Sequence, residues 1–177
     1  MRLLGSILYD SVYHTTPILL CVLGGIFAYK AGVLNIALEG FMLSASFMSM
    51  LVAGLTGSVA LGYVAAFASC LILWLVFSYM GVTRRGNVII IGLAINMLVP
   101  AIAGFVLHIM GTANLTLQWL NVADMKVNLP LIRDIPILGD MLSGHPVTTY
   151  LAFLMIPLMG VLMYRTKLGV YIRVVGE

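Results

Sequence analysis

The stretch Ala31–Gly40 (AGVLNIALEG) lies between two apolar segments that are each long enough to cross a membrane. It places the amide of Asn35 and the carboxylate of Glu39 near or inside the hydrocarbon layer. A carboxylate at the centre of a bilayer is disfavoured by roughly 2.5–3.5 kcal/mol on insertion scales. Such a residue usually faces protein, lies near an interface or lines a polar path, so the segment indicates transport.

The composition of the chain is that of an integral membrane protein. Of its 177 residues, 62% are hydrophobic and 8% are charged, which does not suit a water-soluble domain. One helical span takes about 20 apolar residues, so the length leaves room for about five or six crossings. The net charge of +3 comes with nine scattered Lys and Arg residues. This distribution is typical of topology signals and predicts no nucleic-acid partner.

Apolar runs bounded by charged residues, glycine and proline predict five membrane-spanning helices. The predicted spans are Ser11–Tyr29, Val33–Leu55, Ser58–Met80, Val88–Met110 and Val147–Tyr164. Residues 111–146, between the last two spans, are too polar to cross and form a predicted external loop. We therefore expect an all-α polytopic helix bundle that forms a single transmembrane domain over residues 1–177.

The positions of Lys and Arg predict the topology, because short cytoplasmic segments carry an excess of positive charge. With the N-terminus outside, six basic residues are cytoplasmic and three are external. The six are Lys30, Arg84, Arg85, Arg165, Lys167 and Arg173, and the three are Arg2, Lys126 and Arg133. The sequence therefore predicts an external N-terminus and a cytoplasmic C-terminus.

Asn35 and Glu39 are four residues apart, so a continuous helix would present them on one face. One interpretation places them at a broken helix near a translocation path, where Glu39 contacts a partner group, gates the path or meets solute. The other places Glu39 close to the cytoplasmic boundary, in an ion pair with a basic residue. The candidates for that ion pair are Lys30, Arg84 and Arg85.

Two further polar residues lie inside predicted spans. Asn96 precedes Pro100, and its amide either hydrogen-bonds another helix or a carbonyl released by the proline, or binds solute. His14 lies just before Pro17, where we expect a kink, and it faces either the bundle interior or the membrane interface. Asn87, at the start of the fourth span, is a candidate helix cap.

Several segments, in the same order along the chain, carry a family resemblance. They are Thr16–Leu20, Leu23–Phe27, Ala31–Leu43, Asn87–Asn96, Ile135–Gly139 and Arg165–Glu177. Together they resemble the permease subunits of ABC transporters of the nucleoside-uptake type, within the superfamily of ribose and branched-chain amino acid permeases. Ala37 stands where the family usually has glycine, and Val88 and Ile91 where it has polar residues. If those polar side chains of the family help to choose the solute, the nucleoside assignment weakens while the permease assignment stays intact.

The resemblance implies a multi-pass subunit of the bacterial plasma membrane. It would pair with a second permease subunit, two cytoplasmic ATP-binding subunits and an extracellular solute-binding protein. ATP would bind the partner ATPase, and this chain would hold no cofactor. The cytoplasmic segment with Arg165, Lys167, Arg173 and Glu177 would face the ATPase. Family members continue beyond Glu177 with a docking helix and further spans, so we expect a truncated permease that is inactive alone.

A rival from another class is a self-contained five-span protein, such as a homo-oligomeric channel or an assembly factor without ATP coupling. It accounts for the length but not for the family-like segments in family order. An intramembrane enzyme would need clustered catalytic groups, and the sequence contains neither a metal-ligand spacing nor a nucleophile motif. We therefore expect the permease of an importer for a small polar solute, a nucleoside or a sugar-like compound, with no enzymatic site and no metal.

Overall fold

A computed structural model describes residues 2–117, 126–127 and 143–176. The described residues form α1 (Arg2–Lys30), α2 (Leu38–Thr56), α3 (Val59–Ser78), α4 (Val88–Met110), α5 (Val147–Arg165) and the short α6 (Lys167–Gly176). A π-helical turn at Tyr79–Thr83 follows α3. Strands β1 (Lys126–Val127) and β2 (His145–Pro146) pair antiparallel. The predicted all-α class is confirmed.

Five of these helices are long and apolar enough to cross a membrane. Large apolar side chains on them point outwards, and Leu55, Phe67 and Met97 are 71–77% exposed. So much exposed apolar surface is incompatible with water and suits lipid tails. The chain is therefore a multi-pass membrane protein, and its orientation in the membrane stays a prediction.

The predicted second span is wrong over its first turn. It was expected to begin at Val33, but α2 begins at Leu38. Gly32 adopts a left-handed backbone with φ of +79°, and residues 33–37 are not helical, with a turn at Ile36 and Ala37. Helix α1 also begins earlier than predicted, at Arg2 rather than Ser11. The predicted external loop lies largely outside the described residues.

The described residues divide into two units. Unit 1 contains α1, β1, β2, α5 and α6, and unit 2 contains α2, α3, the π-helical turn and α4. In unit 1, α5 packs on both α1 and α6. In unit 2, α2 packs on both α3 and α4, around a buried core of Ala37, Phe77, Ile95 and Val99.

Local sequence signals set both ends of α4. The Asn87 Oδ1 accepts hydrogen bonds from the N–H groups of Ile89 and Ile90, at 3.0 and 3.4 Å, so the predicted cap is confirmed. At the other end Gly111 adopts a left-handed backbone with φ of +66°, which glycine accepts without a steric penalty. The helix therefore ends at Met110, the residue before this glycine.

Candidate functional site

Residues 33–37 precede α2 in unit 2, and we refer to them as the Asn35 turn. The Asn35 Oδ1 accepts a hydrogen bond from the Ala37 N–H at 3.0 Å. A local bond of this kind offers the backbone an alternative to the helix. Ala37 itself is fully buried and belongs to the core of unit 2. The Asn35 turn is thus anchored at its end by packing as well as by a hydrogen bond.

Asn96, in the middle of α4, joins α4 to the Asn35 turn and to the first turn of α2 through two hydrogen bonds. Its Oδ1 accepts from the Gly40 N–H at 2.8 Å, and its Nδ2 donates to the Ile36 carbonyl at 2.9 Å. The first N–H groups of a helix have no partner within the helix, and an unpaired backbone group is costly where water is absent. The Asn96 amide therefore pairs with one backbone donor and one backbone acceptor at the point where the chain becomes helical. We call this pair of bonds the Asn96 clamp.

Two glycines allow α4 to approach the Asn35 turn closely. A Cβ added at Gly40 would lie 2.9 Å from the Asn96 Oδ1 and 3.0 Å from the Ile95 Cγ2. A Cβ added at Gly92 would lie 3.1 Å from the Ala37 N and from the Ile36 Cβ. These separations are shorter than ordinary carbon contacts. The Asn96 clamp therefore depends on having no side chain at either position.

A cleft of about 200 Å³ opens beside the Asn96 clamp. Its lining consists of Glu39, Gly40, Met42, Leu43, Ser46, Asn96 and Pro100. The exposed Glu39 carboxylate lies in the first turn of α2, where the partial positive charge of the helix N-terminus favours a negative charge. The Ser46 hydroxyl donates to the Leu43 carbonyl at 3.0 Å, so its oxygen can still accept. An apolar wall with a few polar groups is typical of a small-molecule site.

The structure brings three of the four predicted pathway residues together, since Asn35, Glu39 and Asn96 all belong to the Asn35 turn and its surroundings in unit 2. Within residues 33–117, no ion pair joins Glu39 to Arg84 or Arg85. Arg84 instead donates from its Nε and Nη2 to the Tyr79 hydroxyl, at 3.0 and 2.8 Å. The role of these residues in a pathway stays a prediction.

The remaining predicted residues lie in unit 1. His14 is exposed on α1, with its ring 5.4 Å from that of Tyr13. Arg165 ends α5 and Lys167 begins α6, and both are exposed. Arg173 is half-buried on α6, and Glu177 lies outside the described residues.

Unit 1 also contains a buried polar cluster that the sequence did not single out. His145 is 0% exposed and Thr149 is 2% exposed. The Tyr9 ring stacks on the His145 ring with 4.1 Å between centroids, and the Thr16 Oγ1 lies 3.2 Å from the Thr149 Oγ1. Threonine inside an apolar run is the signal that could have found it, because hydroxyls in a membrane often hydrogen-bond across helices.

The family described as Branched-chain amino acid transport system / permease component matches residues 7–177. This chain belongs to that family. The resemblance identified from the sequence segments is thereby confirmed, and it covers both units of the structure.

Individual relatives are similar over nearly the whole chain. The putative glucose ABC transporter permease protein of Haloferax volcanii is 30% identical over 183 residues, which cover 100% of this chain and 53% of the relative. The guanosine ABC transporter permease protein of Bacillus subtilis is 28% identical over 184 residues, which cover 100% of this chain and 57% of the relative. The nucleoside ABC transporter permease protein of Lactococcus lactis is 26% identical over 189 residues, which cover 98% of this chain and 56% of the relative.

The chain thus spans about half the length of the curated relatives it matches. No solved structure matches it. The family consists of permease components, which are parts of transporters rather than enzymes.

Proposed function

We propose that this chain forms membrane-spanning helices of the permease subunit of an ATP-driven importer for a sugar or a nucleoside. The family match over residues 7–177 supports the permease role. The names of the relatives, which refer to glucose, guanosine and nucleosides, support the solute class. A self-contained channel or assembly factor offers no reason for a permease match along nearly the entire chain.

The proposed way in which solute is bound rests on the Asn96 clamp. It holds a break in the helical backbone open and leaves the Glu39 carboxylate exposed in the adjoining cleft. Sugars and the ribose of nucleosides carry hydroxyl groups that donate to carboxylates and accept from amides. In our proposal Glu39 accepts from solute hydroxyls, Ser46 offers a further acceptor and Asn96 positions the backbone around them.

Energy for transport comes, in this proposal, from ATP hydrolysis on partner subunits. Closure of those ATPases favours one of two arrangements of the helices, which opens the pathway to one side of the membrane and then to the other. The N-terminus lies outside, and Arg165, Lys167 and Arg173 lie on the cytoplasmic side facing the ATPase. A second permease subunit and an extracellular solute-binding protein complete the assembly in the bacterial plasma membrane.

The test of the solute site is Glu39→Gln in the chromosomal gene, where the neighbouring subunits and any continuation of the reading frame are kept. Glutamine has nearly the same shape but no negative charge, so it accepts more weakly from hydroxyls. We expect uptake of radiolabelled glucose or guanosine to fall about tenfold or more, as for the loss of a charged hydrogen bond worth roughly 1.5–3 kcal/mol. Uptake in ATP-depleted cells should be abolished with or without the substitution.

The matched control is Asp10→Asn, which removes the same charge from an exposed carboxylate of unit 1. Uptake should be unchanged in this variant. If both variants transport equally, Glu39 has no role in the pathway. If uptake persists without ATP, the importer proposal itself fails.

A second test concerns residues 1–177 by themselves. Reconstituted with ATP-binding and solute-binding subunits from the same organism, residues 1–177 should move no solute when ATP is added, because they span about half the length of the permeases they match. Vesicles that carry a permease of the relatives' full length serve as the positive control. ATP-driven uptake by residues 1–177 would contradict the expectation that these residues are inactive alone.

A further inference from the structure

Unit 1 contains a groove that the proposed transport function does not use. It has a volume of about 210 Å³, and its apolar wall includes Leu23 and Phe27 from α1 and Ile156 and Gly160 from α5. A Cβ added at Gly160 would meet nothing within 4 Å, so the groove is open at this point. We call it the α1–α5 groove.

Two basic residues line the same groove. Lys30 ends α1 and Arg173 lies on α6, and both are half-buried. Helix α6 reaches the end of α1, since a Cβ added at Gly176 would overlap the Lys30 carbonyl and lie 2.9 Å from the Gly32 N. The close approach of these two helix ends places both positive charges at one end of the α1–α5 groove.

The guanidinium of Arg173 is held in place by contacts within unit 1. Its Cζ lies 5.4 Å from the centroid of the Tyr164 ring, and its Nε donates to the Gly169 carbonyl at 3.3 Å. These contacts leave the N–H groups of both Nη atoms for a further acceptor. A guanidinium fixed in this way is well suited to bind a phosphate through two parallel hydrogen bonds.

The positive charge at this end of unit 1 is not balanced by a nearby acidic residue among those described. In the described part of unit 1 the acidic residue is Asp10. At 1.5 Å per helical residue, Asp10 lies about 30 Å from Lys30 along α1. Half-buried cations at the end of an apolar groove favour an anionic partner at the membrane surface.

We propose that the α1–α5 groove binds an anionic glycerophospholipid. One acyl chain lies along the apolar wall and the phosphate binds Lys30 and Arg173. Basic pockets between transmembrane helices bind anionic lipid head groups by this combination of charge and apolar area. A zwitterionic lipid brings its own positive charge to the cations and fits less well. The proposal goes beyond solute transport and does not depend on which solute is carried.

The test is a lipid titration of the full chain in detergent, followed by native mass spectrometry. We expect dioleoyl phosphatidylglycerol to bind about tenfold more tightly than dioleoyl phosphatidylcholine. Lys30→Gln and Arg173→Gln should each lower the affinity for phosphatidylglycerol about fivefold, since one basic residue near the membrane surface contributes about 1 kcal/mol. Gly160→Leu should weaken it at least as much by filling the groove without touching the cations.

Each variant has a matched control. Lys167→Gln removes a charge from an exposed residue of α6 that does not line the α1–α5 groove, and Gly104→Leu adds the same side chain at an α4 glycine that also has nothing within 4 Å. Both should bind phosphatidylglycerol as the parent chain does. Circular dichroism of each variant shows whether its helices are intact, and the charge and filling variants test the proposal independently of each other.

Three results would overturn the proposal. Equal affinity for the two lipids would mean that the groove does not select the anionic head group. An equal loss in Lys167→Gln and Arg173→Gln would assign the binding to general surface charge. A disulfide-linked dimer of Gly160→Cys, made in a background with both native cysteines replaced by alanine, would mean that a second copy of the chain occupies the α1–α5 groove.

Discussion

The two units each place polar side chains between membrane helices, but they satisfy them in different ways. In unit 1, the hydroxyls of Thr16 and Thr149 lie 3.2 Å apart and both residues are buried. In unit 2, the amide of Asn96 bonds to a carbonyl of the Asn35 turn and to an N–H in the first turn of α2, and it remains partly exposed in a cleft. The contact in unit 1 joins two side chains, whereas the two hydrogen bonds in unit 2 join one side chain to backbone groups.

This difference separates a packing contact from a candidate site. Once Thr16 and Thr149 contact each other they are shielded from any ligand, and their effect is to hold α1 against α5. The Asn96 clamp instead fixes a turn whose neighbouring carboxylate stays open to the cleft. Polar groups in membrane helices that are exposed to a cavity are those most often used in function. We therefore expect substitutions in unit 2 to have the larger effects.

The largest effect on stability is expected for Asn96→Leu. Leucine has a similar size but leaves the Gly40 N–H and the Ile36 carbonyl without their partner. An unsatisfied buried group costs about 1–3 kcal/mol, so we expect a loss of about 2–4 kcal/mol in the free energy of unfolding. Thermal unfolding in detergent, followed by circular dichroism, measures the loss.

The control for Asn96→Leu is Asn114→Leu, which replaces an exposed amide near the end of α4 in the same unit. It should change the free energy of unfolding by less than about 0.5 kcal/mol, as is usual for surface positions. Equal stability of the two variants would mean that the Asn96 clamp does not contribute to folding.

A smaller loss in the free energy of unfolding is expected for Gly40→Ala. The new methyl group would lie 2.9 Å from the Asn96 Oδ1 and 3.0 Å from the Ile95 Cγ2, so α2 and α4 must move apart. Overpacking of this kind costs about 1–3 kcal/mol. The same unfolding measurement applies, and it should show a lower midpoint than for the parent chain.

Gly104→Ala provides the opposite case within α4, because its added Cβ would meet nothing within 4 Å. Alanine is favoured over glycine inside a helix by roughly 0.5–1 kcal/mol, so this variant should be slightly more stable than the parent. A stabilised Gly40→Ala would show that the close approach at the Asn35 turn is not required.

The sequence predicts those parts of the fold that depend on local composition. Apolar length is a local property, which is why all five predicted spans correspond to helices. The cap at Asn87 depends on residues two and three positions away, and it too was predicted correctly. For these features the neighbours along the chain are also the neighbours in space.

The start of α2 could not be predicted in the same way. Val33, Ile36 and Ala37 are as apolar as any helical residue, so hydropathy does not distinguish the Asn35 turn from a helix. The break is stabilised by Asn96, which lies 60 positions from the carbonyl of Ile36. The contact between Thr16 and Thr149 likewise joins residues 133 positions apart. A single sequence does not show which polar residues in separate spans will meet.

The smallest effect is expected in unit 1, for Thr149→Val. Valine keeps the shape of threonine and removes the hydroxyl that contacts Thr16. Hydrogen bonds between membrane helices contribute on average about 0.6 kcal/mol and at most about 1.7 kcal/mol, so we expect a loss of about 0.5–1.5 kcal/mol. The adjacent and exposed Thr148 gives the matched control, Thr148→Val, which should be neutral.

A double-mutant cycle with Thr16→Val isolates the contact itself. If the two hydroxyls stabilise each other, the double variant loses less than the sum of the single losses, by the coupling energy of the pair. The Thr16 hydroxyl also lies 2.9 Å from the Val12 carbonyl in its own helix, so Thr16→Val alone can lose more than Thr149→Val. Additive losses, or a Thr149→Val variant as unstable as Asn96→Leu, would contradict the distinction drawn between the two units.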